Sequence, residues 1–222
     1  MEKKFILTDK FVINSFGIKL FQIKCTKSFK YAQKGDFGGY VEKEGNLDQE
    51  NDAWVFGNAR VFGNARVSSN ARVSGDAWVS DNARVSGDAW VSGNAWVSSN
   101  AWVSGDALVS GYAWVSGDAR VFGNARVSGD AWVSGNAWVS GDADIENDNE
   151  HCGFDGFGSC NRHTHAYMTK EKKVEIICGC FRGSIEEFEK KVEETHSGTV
   201  YEKQYKSIIN VIKIKFGLTD FT

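Results

Sequence analysis

The chain has 222 residues, of which 41% are apolar, and its 26 basic and 29 acidic side chains leave a net charge of −3. That is enough apolar material for one large or two to three small domains, which excludes a disordered tail, and the near-balance of charge argues against nucleic acid or an anionic membrane as partner. No apolar run approaches the ~20 residues of a membrane-spanning helix, and the start, MEKKFILTDKFVINS, lacks both a sustained hydrophobic core and a small-residue cleavage site.

A cytosolic protein is therefore expected. The five cysteines, Cys25, Cys152, Cys160, Cys178 and Cys180, are odd in number and absent from the middle of the chain, unlike a secreted disulfide framework, so reduced thiols are expected. Charge divides the sequence into three zones. Residues 1–52 hold nine lysines and eight acids, 53–148 hold six arginines, no lysine and ten acids, and 149–222 hold eleven of each sign.

The first zone, 1–52, reads as a β-rich cap. GIKLFQIKC alternates from Ile18 to Cys25, and KGDFGGYVEKEGNLDQ leads onward, with Gly38 and Gly39 expected to form the turn that delivers the chain into the next zone. The glycines make no phosphate loop, because no G-x-G-x-x-G follows a strand and opens a helix. GDFGGYVEKEGNL resembles a phrase of phage and prophage hexapeptide-repeat proteins.

From Ala53 to Asp148, 96 residues divide without insertion into 16 hexads of the form A-[W/R]-V-[S/F]-[G/S]-[N/D], preceded by one further hexad, LDQEND. A beat of six fits neither a helical stripe nor one long strand; it is the mark of stacked units that cannot bury their apolar side alone. In an extended Ala-Trp-Val triplet the period of two sends Ala and Val inward and Trp or Arg outward, and Ser-Gly-Asn or Ser-Gly-Asp makes the corner. Ser68, Ser74, Ser80 and their counterparts are expected to be solvated corner residues.

The pairing of an aliphatic residue with a small one four positions on (Val55 and Ala59, Val61 and Ala65, Val91 and Ala95) resembles the left-handed parallel β-helix of hexapeptide-repeat proteins. That resemblance implies three hexads per triangular coil, so that residues 18 apart stack. The outward positions then sort into three columns: Arg60, Trp78, Trp96, Trp114 and Trp132; Arg66, Arg84, Trp102, Arg120 and Trp138; and Trp54, Arg72, Trp90, Leu108, Arg126 and Asp144. Stacked indoles and Arg beside Trp stabilise such a wall, and a contiguous aromatic column also marks an interface. Trp78, Trp96, Trp114 and Trp132 are the candidate interface residues, and the resemblance implies a homotrimer. Many proteins of that kind are acyltransferases that use a histidine and protruding loops. These hexads contain no His, Cys or Lys and no loop, which disfavours acyl transfer and leaves the serines without an activating base.

Residues 149–222 change grammar. HTHAYMT and VEIICGC read as two strands around the turn KEKK; Ser184 and Glu187 form a capping box opening a helix with Ile185, Phe188 and Val192 on one face, ended by Gly198. A second helix carries Tyr201, Tyr205, Ile208, Ile209, Ile212 and Phe216, ended by Gly217. The expected fold is thus mainly β: a left-handed parallel β-helix of hexapeptide repeats (53–148) with an N-terminal β cap (1–52) and a small C-terminal α+β domain (149–222) of ββαα type.

Cys152, Cys160, His163, His165, Cys178 and Cys180 match no standard four-ligand zinc spacing, and the pair Cys160 and His163 lacks an orienting third group, so neither a metal, a cofactor nor a catalytic residue is expected. GFGSCNRHTHAY and CGCFRGSIEEFEKKVEETH resemble small α/β domains encoded by phages of gram-positive bacteria. Part of that group comprises anti-defence proteins that sequester a cyclic ADP-ribose-type signal of the Thoeris system. The resemblance implies a non-enzymatic phage or prophage protein that binds a nucleotide-type ligand. The chemistry of the residues names the candidates: Arg162 and Arg182 for phosphate, Phe154 and Phe157 for base stacking, Asn161 and Thr164 for a ribose or base edge. The alternatives are a structural or adaptor β-helix binding a protein partner and, second, an acyltransferase.

Overall fold

The computed structural model describes residues 2–218. Each hexad contributes one two-residue strand, from β4 (Trp54–Val55) to β19 (Asp144–Ile145), and the strands stack in three parallel walls. Partners lie 18 residues apart: Trp96 sits between Trp78 and Trp114, Trp102 between Arg84 and Arg120, and Trp90 between Arg72 and Leu108. All the repeat valines and alanines are buried, filling the axis.

Hydrogen bonds join each coil to the next in a fixed register. Trp96 N donates to Ala113 O (2.9 Å), Ser98 N to Val115 O (2.9 Å) and Asn100 N to Gly117 O (2.9 Å), a pattern that recurs along the stack. The amides of Trp96, Ser98 and Asn100 thus point toward the C-terminal end, whereas the parallel pairing of Trp96 with Trp114 and of Val97 with Val115 turns the repeat valine amide back to the preceding coil. The corners demand glycine for two reasons at Gly75: its φ is +68°, and a methyl group there would lie 2.8 Å from the Gly93 carbonyl oxygen one coil on. Ser69, Asp81 and Ser99 hold the same left-handed conformation without glycine's freedom. One corner also carries a side-chain ladder, in which Asn64 donates to Asn82, Asn82 to Asn100 and Asn100 to Asp118 at 3.0–3.3 Å.

The serines differ from expectation. Ser80, Ser98, Ser116 and Ser140 are buried, and the hydroxyls of Ser74, Ser80, Ser86, Ser98 and Ser116 accept the indole N–H of the tryptophan sixteen residues later, at 2.8–3.4 Å. The large indole leans over the preceding coil, shields the serine and satisfies its own donor. Trp96, Trp114 and Trp132 stack in parallel, 5.1 Å apart with planes 6° from parallel. Arg72 lies 4.6 Å from the Trp90 ring, and Arg120 bridges Trp102 and Trp138.

At the N-terminal end β1 (Phe5–Ile13), β2 (Lys19–Cys25) and β3 (Phe37–Val41) form an antiparallel meander continuous with one wall. Gly38 and Gly39 are not a turn: they lie inside β3, where added methyl groups would come within 2.6 Å of the Val55 and Ala59 carbonyl oxygens. β3 already stacks on the next coil. Tyr40 pairs with Arg60 and Leu47 with Val67, each twenty residues apart, so LDQEND supplies a core residue followed by a corner two residues longer than the others. Trp54, expected outside, is buried against Phe5 and Phe29. The hairpin tip reaches further, with Phe16 packing on Phe62, Trp78 and Trp96 and turning Trp78 edge-on to Trp96. Lys4, itself buried, donates to the carbonyls of Asn51 and Ala53.

The C-terminal domain holds four antiparallel strands rather than two: β20 (His151–Phe157), β21 (Arg162–Met168), β22 (Val174–Cys178) and β23 (Phe181–Gly183). β20 is punctuated by Gly153 and Gly156, and β23 is three residues long, which hides both from a hydropathy pattern. α1 (Ile185–His196) opens on the expected capping box, Ser184 Oγ accepting from Glu187 N (3.2 Å) and Glu187 from Ser184 N (2.8 Å). α2 (Val200–Lys215) follows. The helices cover one face of the sheet, on Ala166, Ile176 and Cys178; from the other face Tyr167 and Ile177 join the solenoid core.

Val97→Asp places an unpaired carboxylate in the axis and is expected to cost several kcal/mol, lowering the melting temperature by at least 5–10 °C, roughly. Asp106→Asn, at an exposed corner, should leave it within about 1 °C. Equal melting curves for the two variants would contradict the assignment of inward and outward positions.

Candidate functional site

The six candidate ligand residues do not converge. Phe154, Thr164 and Cys178 pair across three strands on the helix-facing side. Thr164 is fully buried and donates to Cys178 Sγ (3.3 Å), while Phe154 and Phe157 pack on the helical core. Asn161 shapes the β20–β21 turn with φ +48°. Arg182 binds Glu175 (2.6 and 3.3 Å), which also accepts from the Tyr167 hydroxyl (2.6 Å), and its guanidinium occupies the space over Gly141 of the last coil. An arginine so engaged is a docking residue, and it holds the domain to the solenoid.

Arg162 behaves differently. It is exposed, lies over Gly179, and lines two cavities. The first, about 250 Å³, is framed by the turns after β20 and β22, by α1 and by Tyr205 of α2. Its walls bring Arg162, Lys191 and His196 together with the rings of Phe181, Phe188 and Tyr205, and no carboxylate lines it. His196 stacks on Tyr205 with ring centres 5.4 Å apart. Burial, followed by the neighbouring Cys178, pushes the Tyr205 phenol above its ordinary range, so it remains a neutral hydroxyl. Lys191, which also lies 3.6 Å from Glu194, was missed from sequence together with His196 and Tyr205. The available signal was the recurrence of Phe188, Lys191, Val192 and Thr195 at helical spacing on one face of α1. Cys160 and Cys180 stand exposed at the same cavity, and the five cysteines are all free thiols.

On the solenoid side three histidines lie in a row, His151 hydrogen-bonded to His165 and His163 with its ring centre 5.7 Å from that of His165. His165 Nδ1 lies 2.9 Å from the Trp138 carbonyl, an acceptor only, so that nitrogen carries the proton. His165 Nε2 must then accept from His151 Nδ1 (3.2 Å). His163 Nδ1 is 2.8 Å from the Asp155 carboxylate, so that nitrogen carries a proton, and in the neutral ring Nε2 is the acceptor. Burial drives the His165 imidazole down to about 3 and lowers that of His151; Asp155 is lowered first by its bond from His163. Among the described residues no group of three or more His, Cys, Asp or Glu is arranged to hold a metal ion.

Hexads stacked in three hydrogen-bonded walls, closed at both ends by β structure, define a β-solenoid repeat protein. The YdcK β-solenoid repeat model matches residues 65–81, 77–93, 83–99, 101–117 and 119–135, all within the repetitive middle. No curated protein matches the chain. Among the described residues no helix is long and apolar enough to cross a membrane.

The histidine row predicts acid lability. The folded pKa of His165 lies below its unfolded value near 6.5, so its contribution to stability is fully present above pH 6.5 and is lost as pH falls toward 3. His151 acts in the same direction. For His165 each pH unit in this range costs about 1.4 kcal/mol, or about 3–6 °C for a chain of this size. Thermal melts between pH 7.5 and 4.5 should show that slope. His165→Asn should melt lower at pH 7.5 but lose less on acidification.

Proposed function

We propose that the protein is a non-catalytic binding protein whose C-terminal domain retains a small, anionic, ring-bearing ligand of nucleotide type in the cavity between α1 and the strand turns, with the solenoid as a rigid support. The observation that carries this reading is the wall composition: two cations, of which Lys191 is shared with Glu194 outside the lining, and a histidine beside three aromatic rings, with no carboxylate among the lining residues. Sequestration requires affinity and no chemistry. The likeness of the C-terminal phrases to small phage-encoded domains adds the biological class, an anti-defence protein acting in the cytoplasm of an infected or lysogenic bacterium.

Charge-assisted contacts of about 1.5–3 kcal/mol each and ring stacking of about 0.5–1.5 kcal/mol are sufficient for a micromolar complex. Calorimetry of the intact chain with AMP and with cyclic ADP-ribose isomers should give Kd values of about micromolar order, with the ligand recovered unchanged after heat release. Arg162→Ala and Lys191→Met should each weaken binding at least about tenfold. Binding no tighter than about millimolar, or binding that survives both substitutions, would remove the nucleotide reading in favour of an adaptor.

For assembly we propose a homotrimer packed along the tryptophan wall. What supports it is the upper part of the column: Phe16 covers Trp78 and Trp96, whereas Trp114 and Trp132 remain 36% and 50% exposed. Light scattering should give about three times the 24.5 kDa chain mass. Trp114→Lys with Trp132→Lys should reduce it to one, since burying two ammonium groups is costly. A monomeric wild type would refute the trimer.

A further inference from the structure

We propose that the cleft between the last coil and the C-terminal sheet is a second binding site, for a planar aromatic monocarboxylate that also carries a hydroxyl or ring N–H. The cleft encloses about 280 Å³. The solenoid contributes Asn136 and Trp138, and the sheet contributes Arg162, His163 and Ile177. It stands apart from the nucleotide reading, sharing only Arg162 with that cavity.

Three unsatisfied groups set the ligand's chemistry. Arg182 is held by Glu175, whereas Arg162 has no ion-pair partner among the described residues, so the cleft offers one planar guanidinium fork. A single fork matches a carboxylate, and a single cation favours a monoanion. His163 supplies the second feature. Its Nδ1–H is committed to Asp155, which also accepts from Asn136 (3.2 Å), and its Nε2 is buried with no partner. That nitrogen lies over Gly153 without solvent-accessible surface, so a ligand hydroxyl or N–H reaches it when the imidazole edge turns into the cleft, relieving the cost of an unpaired buried acceptor. The third feature is Trp138. Five other tryptophans give their indole N–H to the serine sixteen residues earlier, but here that position is Phe122, whose ring meets Trp138 edge-on at 6.0 Å. Trp138 thus keeps a donor without its serine acceptor, and with Ile177 it provides an apolar wall for a flat ring.

The probe is 4-hydroxybenzoate, titrated into the full chain by calorimetry and ligand-observed NMR beside benzoate and 4-hydroxybenzyl alcohol. Submillimolar binding of 4-hydroxybenzoate, about tenfold weaker binding of benzoate and no binding of the alcohol are expected. Trp138→Leu, and the milder Asn136→Ser should the first lose stability, should weaken 4-hydroxybenzoate about tenfold, and Arg162→Met should abolish it. Lys191→Met and Trp138→Leu separate the two cavities, the first weakening AMP and the second 4-hydroxybenzoate. The proposal is overturned if wild type binds no carboxylate probe at millimolar concentration, if the three probes bind alike, or if AMP displaces 4-hydroxybenzoate and Lys191→Met weakens both while Asn136→Ser weakens neither.

Discussion

Everything in this molecule is subordinate to the backbone ladder that ties each coil to the next. Coils bond only to their neighbours, so the first and last coils carry backbone groups that no further coil satisfies. At both ends charged side chains take up such groups. At the N-terminal end the Lys4 ammonium reaches the Asn51 and Ala53 carbonyls, in a site dry enough to pull its pKa down to about 8. At the C-terminal end the Asp148 carboxylate takes the Trp132 N–H (2.7 Å) and Glu150 takes that of Glu146 (2.7 Å). Both devices satisfy strand-end groups of those walls that another chain could otherwise extend.

Once the ladder sets the coil spacing, the outward residues have little freedom. Tryptophans 18 positions apart are brought to stacking distance, and each indole N–H falls on a serine of the preceding coil. Where phenylalanine replaces that serine, at Phe62 and Phe122, the tryptophan above meets a ring instead. Those two places are where the wall touches other parts of the protein, the Phe16 hairpin at one end and the histidine row at the other. The substitutions thus coincide with the points where the regular wall receives a neighbour.

The walls, their columns and the buried Ala and Val positions were legible in the sequence because a period of six leaves few alternatives. What escaped was long-range. Trp54 is spelled like every other repeat tryptophan, and only the distant Phe5 and Phe29 bury it. Ser80 reads as a corner residue until Trp96, sixteen positions on, covers it. Gly38 and Gly39 carry the composition of a turn, yet they are small because another backbone passes close by. In the C-terminal domain Arg162 was legible as an anion contact. Its neighbours Lys191, His196 and Tyr205 come from two helices, and beyond the spacing that puts Lys191 beside Phe188 and Thr195 on α1 the tertiary fold alone unites them with it. Arg182 looked equivalent to Arg162, and the difference lies in Glu175, seven residues away on an adjacent strand.

The three-sided coil also gives this protein a vernier. Losing or gaining one hexad swings the attached C-terminal domain through about a third of a turn, while raising or lowering it by only about a third of the ~4.8 Å strand spacing. Eighteen residues restore the original bearing at a new height. Heading and reach are therefore set by the same short unit in different proportions, and a gene that duplicates or drops such units by slippage can re-aim the domain without redesigning either end.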